Sequence, residues 1–208
     1  MAKSCAVVGA GDFFETAESV EKTDMLIAAD GGYAALKKIG LTPDVLIGDF
    51  DSLSETPDFD AIIRLPKEKD DTDMMAAVKT GLKEGCRVFY LYGGTGGRFD
   101  HTMANVQTLA FLADNGAKGF LIGKDAVATV VRDGEIGIKR EKDGYVSVFC
   151  LSDRAEGVTL SGLKYSMENG TLTNGFPLGV SNEFAAGTAR VRVQKGALLV
   201  SWPRSRRA

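Results

Sequence analysis

Val88-Phe89-Tyr90-Leu91-Tyr92-Gly93-Gly94-Thr95-Gly96-Gly97-Arg98-Phe99-Asp100-His101 is the stretch on which the fold class turns. Its first five residues are apolar and suit a buried strand, and four glycines in the next five positions cannot extend it. Beyond them, residues 102–115 carry Val106, Leu109, Ala110 and Ala113 on one helical face, and Asn115-Gly116 ends the pattern. Strand, glycine-rich turn and helix make half of a βαβ unit, whose strands lie parallel in a sheet covered on both faces.

The same alternation runs outward in both directions. Apolar runs at 5–8, 25–29, 45–47, 61–65 and 120–122 read as further strands. Residues 33–39 and 72–84 read as helices, the second with Met75, Val78 and Leu82 on one face and Thr72 or Asp73 as its cap. After about residue 125 the character changes. Turn signals recur at Asp133-Gly134, Asp143-Gly144, Asn169-Gly170 and Lys195-Gly196, and segments such as 145–151 and 189–194 alternate in polarity. The expectation is α/β plus all-β. An open, mostly parallel sheet with helices on both faces occupies 1–125, and an antiparallel β-sandwich occupies 126–208.

Composition agrees with a soluble globular chain. Of 208 residues, 44% are hydrophobic and 25% charged, which excludes disordered and fibrous classes. The longest apolar runs are five residues, far short of the roughly 20 that span a bilayer, so no membrane partner is expected. No signal-peptide core follows Met1, and Cys5, Cys86 and Cys150 fit neither a disulfide framework nor a zinc pattern, so a cytoplasmic location is expected. The net charge of −3 is unevenly spread. Residues 1–75 hold 16 acidic side chains against seven basic ones, an excess that is either solvated or paired with metal ions. The tail Arg204-Ser205-Arg206-Arg207 is too short to suggest nucleic acid as a partner.

Four clusters lie just beyond predicted strands, where open α/β sheets take their ligands. Asp30-Gly31-Gly32 offers a carboxylate at a strand tip, or alternatively a turn that caps the next helix. Residues 43–52 run a strand straight into Asp49-Phe50-Asp51. Carboxylates brought together repel unless a cation neutralises them, and hard oxygen donors of this kind suit Mg2+. Asp70-Asp71-Thr72-Asp73 opens a helix, whose dipole favours acids whatever their function, and Asp73 is a candidate third ligand. In the fourth cluster, residues 93–101, the glycines free backbone N–H groups for phosphate oxygens and Arg98 adds a planar fork.

Weaker signals stay open. Val8-Gly9-Ala10-Gly11 begins like a dinucleotide fingerprint, but Phe14 replaces the third glycine. His101, the only histidine, reads as capping or packing, and Trp202 reads as core. Acid pairs, a glycine–arginine loop and no evident covalent nucleophile point to metal-assisted phosphoryl or nucleotidyl chemistry.

These residues resemble the thiamin pyrophosphokinase family. The resemblance rests on Asp30-Gly31-Gly32, residues 43–52, Asp71-Thr72-Asp73, residues 93–101, Gly162-Leu163-Lys164-Tyr165 and Gly179-Val180-Ser181-Asn182-Glu183, in order over nearly the whole chain. It implies transfer of a pyrophosphoryl group from ATP to the hydroxyethyl oxygen of thiamin, giving thiamin diphosphate and AMP. It also implies a homodimer with thiamin sites shared between subunits. Carried over by position, Asp30, Asp49, Asp51 and Asp73 would hold Mg2+, and Asp49, Asp51, Asp73 and Asp100 would be catalytic. Asp30, Gly31, Gly94, Gly96, Gly97, Arg98 and Asp100 would bind ATP, and Asp73, Tyr165, Ser181 and Asn182 would line the thiamin pocket. Asp73 or Asp100 would accept the hydroxyl proton. Tyr165 stands where some relatives carry Trp, and Lys69 where some carry Gln. A permanent cation such as thiamin suits an acidic cleft. Two further readings are a Mg2+-dependent nucleotide phosphohydrolase and a nucleotide or thiamin sensor that binds without turnover.

Overall fold

The computed structural model describes residues 2–48, 61–66 and 70–205, so Asp49, Asp51 and Lys69 lie outside the described residues. The chain divides into two units, Met1–Lys124 and Asp125–Ala208.

In the first unit, β1 (Ser4–Val8), β2 (Leu26–Ala29), β3 (Val45–Gly48), β4 (Ile62–Arg64), β5 (Val88–Tyr92) and β6 (Lys118–Ile122) lie in the order β6-β5-β1-β2-β3-β4. Each pairing is parallel. Between them run α1 (Ala17–Val20), α2 (Gly32–Lys38), α3 (Asp73–Lys83) and α4 (Phe99–Asp114). The pleat sorts side chains onto two faces. Ala6, Val8, Leu26, Ala28, Leu46 and Tyr92 pack with Val20 of α1 and Leu36 of α2. On the opposite face Cys5 and Phe89 meet α3 at Gly81, and Gly119 of β6 meets Leu109 and Leu112 of α4. Helices thus cover both faces of a parallel sheet, as the alternation predicts.

Two helical faces differ in phase from the sequence reading. In α3 the buried side is Met74, Ala77, Val78 and Gly81, in place of a stripe through Met75 and Leu82. The cause is Phe89, whose ring occupies the space a side chain at position 81 would need: a methyl there would lie 2.6 Å from it. In α4 the buried side is Asn105, Val106, Thr108, Leu109 and Leu112, with Ala110 and Ala113 only half-buried. That helix also starts at Phe99, a turn earlier than expected.

The second unit contains β7 (Ala126–Arg132), β8 (Glu135–Lys139), β9 (Tyr145–Cys150), β10 (Arg154–Ser161), β11 (Met167–Thr173), β12 (Gly179–Glu183), β13 (Thr188–Arg192) and β14 (Ala197–Pro203). One antiparallel layer has the order β12-β9-β14-β7 and the other β11-β10-β13-β8. Only β10 and β11 are consecutive strands of one layer, so Asp133-Gly134, Asp143-Gly144 and Lys195-Gly196 carry the chain between layers instead of closing hairpins. Asn169-Gly170 is not a turn. It is a bulge inside β11, with Asn169 at φ +48° and the register slipping between the Val158–Gly170 and Leu160–Met167 pairs. Between the layers Val146, Val148, Leu160, Leu172, Val191 and Leu198 form a core, and Trp202 packs against it.

Candidate active site

Strand order reverses at β1, which sends the chain to β2 on one side and has β5 on the other. In open α/β sheets the crevice for a ligand opens at the carboxyl ends of the strands flanking such a reversal. Here that places it where the loops after β1 and β5 meet. Gly9 N–H donates to Tyr92 O (2.9 Å), Gly11 N–H to Gly93 O (2.9 Å) and Asp12 N–H to Thr95 O (3.2 Å). The approach is too close for side chains, since a methyl on Gly11 would lie 2.6 Å from Gly93 O. On the far side Ala10 packs against Gly31, so the loops after β1, β2 and β5 are contiguous. The segment 8–11, left open by the sequence, is therefore a wall of the crevice. A fingerprint test could not find it, because nothing local in the sequence says that β1 lies beside β5.

The glycine loop follows β5 at the edge of this crevice. Gly93, Gly96 and Gly97 all take left-handed φ values, of +60°, +86° and +59°. Among the described residues no acceptor takes the N–H groups of Gly94, Thr95, Gly96 or Gly97. Successive unclaimed amides next to the start of the 16-residue helix α4 are donors of the kind that anions take. Asn105, which sequence reasoning passed over, is 5% exposed inside α4 and donates from Nδ2 to Gly94 O (2.8 Å).

Asp30 sits at the tip of β2 with φ +47°, its N–H donating to Ile47 O (2.7 Å) and its C=O accepting from Tyr33 N–H (3.2 Å). Gly48, which precedes Asp49, packs against it: a methyl on Gly48 would lie 3.1 Å from Asp30 Cα. Asp73 is the first residue of α3, and Thr72 is the cap, its Oγ1 accepting from Met75 N–H. The neighbouring Met74 side chain reaches Gly9. Asp71 is engaged elsewhere, accepting from Lys79 Nζ at 2.7 Å with each oxygen. Among the described residues no three His, Cys, Asp or Glu side chains converge on a common point.

Arg98 and Asp100 are brought together at the mouth of α4. Arg98 Nη2 and Nε donate to the two carboxylate oxygens at 2.5 and 3.2 Å, with both side chains well exposed. The guanidinium holds Asp100 below the usual carboxylate range, and Asp100 in turn raises Arg98. His101 is exposed on the next position of the helix.

In the second unit a separate cluster forms around Asn182, which is 4% exposed. Its Oδ1 accepts from Tyr165 N–H and Glu183 N–H, both at 2.9 Å, and its Nδ2 donates to Tyr165 O (2.7 Å). The amide thus acts on backbone, fixing Tyr165, whose ring is 63% exposed. Ser181 lies in a bulge of β12 at φ +59°, its N–H donating to Ser147 Oγ (3.1 Å). Lys164 pairs with Glu183 (3.1 Å), which raises the lysine, and its ammonium lies 5.6 Å from the Tyr165 ring centroid. A cavity of about 460 Å³ beside this cluster is lined by Arg140, Asp143, Gly144, Tyr145, Glu183 and Phe184.

A parallel sheet with a glycine-rich loop at its reversal point, followed by a β-sandwich, defines the class: an α/β unit joined to a β-sandwich unit. The catalytic-domain model of thiamin pyrophosphokinase matches residues 16–121, and the vitamin B1 binding domain model of the same enzyme matches residues 134–198. Thiamine pyrophosphokinase of Bacillus subtilis is 30% identical over 181 residues, 84% of this chain and 85% of that protein. The crystal structure of the enzyme from that organism superposes with a TM-score of 0.88 at 27% identity, covering 98% of this chain and all of that one. The enzyme from Geobacillus thermodenitrificans gives 0.82 at 27% identity, with 99% of each chain covered. The chain belongs to the thiamin pyrophosphokinase family.

Proposed function

We propose that this chain transfers a pyrophosphoryl group from ATP to the hydroxyethyl oxygen of thiamin, releasing thiamin diphosphate and AMP. The observation that carries this reading is the crevice at the ends of β1 and β5, beside which the N–H groups of residues 94–97 meet no acceptor among the described residues. The ATP phosphates lie against those amides, and the N-terminus of α4 adds positive potential. Arg98 then exchanges its carboxylate partner for a phosphate oxygen, and Asp100, released from the guanidinium, becomes the better proton acceptor. Asp73 is the other candidate for the hydroxyl proton.

Asp30, Asp49, Asp51 and Asp73 are the residues that would hold Mg2+. Their chemistry fits, because all four offer hard carboxylate oxygens, and Gly48, the last described residue before Asp49 in sequence, packs against Asp30. When bound, Mg2+ would supply charge neutralisation for the phosphates and polarisation of the transferred group. Asp30 and Gly31 flank the nucleotide at the β2 tip. On the thiamin side Tyr165 and Ser181 contact the substrate and Asn182 holds Tyr165 in place. The aromatic face adds cation–π attraction for a thiazolium. We further propose a homodimer with shared thiamin sites and a cytoplasmic location, in keeping with three buried cysteines that are free thiols. No helix among the described residues is long and apolar enough to cross a membrane.

Incubating purified protein with ATP, Mg2+ and thiamin, and separating the products, tests the reading. AMP formed in equal amount with thiamin diphosphate, and only with thiamin present, is the expected result. ADP with thiamin monophosphate would overturn the transferred group. Phosphate released without thiamin would favour a phosphohydrolase, and thermal stabilisation by thiamin without turnover would favour a sensor.

A further inference from the structure

We infer that Asn105 is a positioning residue for the phosphate loop, turning the Thr95 N–H into the crevice; this rests on the nucleotide reading above. In a trans peptide the carbonyl of one residue and the N–H of the next point in opposite directions. Whatever fixes the carbonyls of residues 92–95 therefore aims the amides of residues 93–96. Three of those carbonyls, on Tyr92, Gly93 and Thr95, are held by N–H groups of the loop after β1. The fourth, on Gly94, has no partner there and is held by Asn105 Nδ2 at 2.8 Å. Asn105 comes from α4, so it ties the loop to a rigid element from the side opposite β1.

The Gly94–Thr95 peptide would be able to turn over if its carbonyl were not held. Gly94 carries no side chain to resist rotation, and a reversed peptide would aim the Gly94 carbonyl at the phosphates. A partial negative charge would then replace a donor at the centre of an anion site. Burial makes the tether firm, because a buried amide group that loses its acceptor is costly. Thr108, the other polar residue on that buried face, bonds within its own helix to Ala104 O, whereas Asn105 reaches out of the helix to the loop.

The test uses the full chain labelled with 15N and inorganic tripolyphosphate as the probe. In the wild type the amide resonances of Gly94, Thr95, Gly96 and Gly97 are expected to shift on titration. N105D keeps the shape of the side chain and removes the donating amide, and N105A removes both. Either variant is expected to weaken tripolyphosphate about tenfold, to abolish the Thr95 shift, and to raise the KM for ATP with the KM for thiamin unchanged. Lower thermal stability with the Thr95 shift and tripolyphosphate affinity intact would mean a packing role only and overturn the inference. The wild type alone is decisive if both variants fail to fold: shifts at Gly96 and Gly97 without one at Thr95 overturn it. No shift at any of the four amides would instead overturn the phosphate reading of the loop.

Discussion

Gly96 has φ +86°, and a methyl group there would run into the Asp12 carboxylate. A left-handed backbone costs an ordinary residue about 1–2 kcal/mol, and the clash adds to it, so G96A should displace the loop without unfolding the sheet. We expect kcat/KM for ATP to fall at least a hundredfold with Tm lowered by a few degrees, as steady-state kinetics and calorimetry would show. At Asn182 three hydrogen bonds to the backbone of Tyr165 and Glu183 are lost together in N182A. Leaving such groups unpaired costs about 1–3 kcal/mol. The expected signature is a higher KM for thiamin beside an unchanged KM for ATP, and equal changes in both would remove its assigned role. Asp24 gives a pH prediction with a definite sign. Its Oδ2 accepts from Ser4 N–H and Ser4 Oγ, both at 2.8 Å, and these bonds hold it below the ordinary value of 3.8. A carboxylate depressed in the folded state adds stability above its unfolded pKa, and that part is lost as pH falls through the folded value. Urea midpoints measured from pH 5 down to pH 3 should therefore fall less steeply for D24N than for the wild type.

At the scale of elements, the cap of α3 is the sharpest handle. Thr72 Oγ1 accepts from Met75 N–H at 3.1 Å, and T72A should cost about 1 kcal/mol in denaturant unfolding while leaving the α3 sequence helical. The strands of the first unit were legible because each is a short apolar run, and α3 because Thr72 caps it. The four-residue α1 carries no side-chain cap bond and no helical period to mark it. Helix phase was not legible either. The sequence marks bulky residues as core, whereas α3 turns its small stripe of Ala77 and Gly81 to the sheet because Phe89 fills the gap. Asn169-Gly170 has the chemistry of a turn and serves as a bulge, since a left-handed residue satisfies both and only the partner strand decides. The site divides in the same way. The glycine loop and Asp30 announced themselves by composition. Asn105 and Asn182 did not, because a buried asparagine and a solvated one look alike until the carbonyl or N–H it serves is placed. The Gly9–Asp12 wall depended on β1 pairing with β5, a contact more than 80 residues apart in sequence.

At the scale of the whole molecule, the sandwich leaves large apolar side chains exposed. Along β9, Val146, Val148 and Cys150 point into the core, whereas Tyr145 and Phe149 on the other face are 61% and 36% exposed. Phe176, Leu178 and Val180, leading into and along the neighbouring strand β12, are 65%, 56% and 41% exposed. Large apolar side chains gathered on adjacent strands mark an interaction surface, unlike the same residues scattered singly. β12 is also an edge of its layer, which natural proteins cover or blunt. The proposed homodimer with shared thiamin sites would account for both features. Light scattering should then give twice the 22.1 kDa chain mass at micromolar concentration. Replacing Phe149 and Leu178 together by Lys should yield a folded species of single chain mass, because neither side chain belongs to the buried core cluster. Its kcat/KM for thiamin should fall at least a hundredfold while nucleotide affinity holds, since the glycine loop lies wholly within the first unit. A variant that is monomeric yet fully active would overturn the shared site, and would make the exposed face of β9 and β12 a surface for something other than a second copy of this chain.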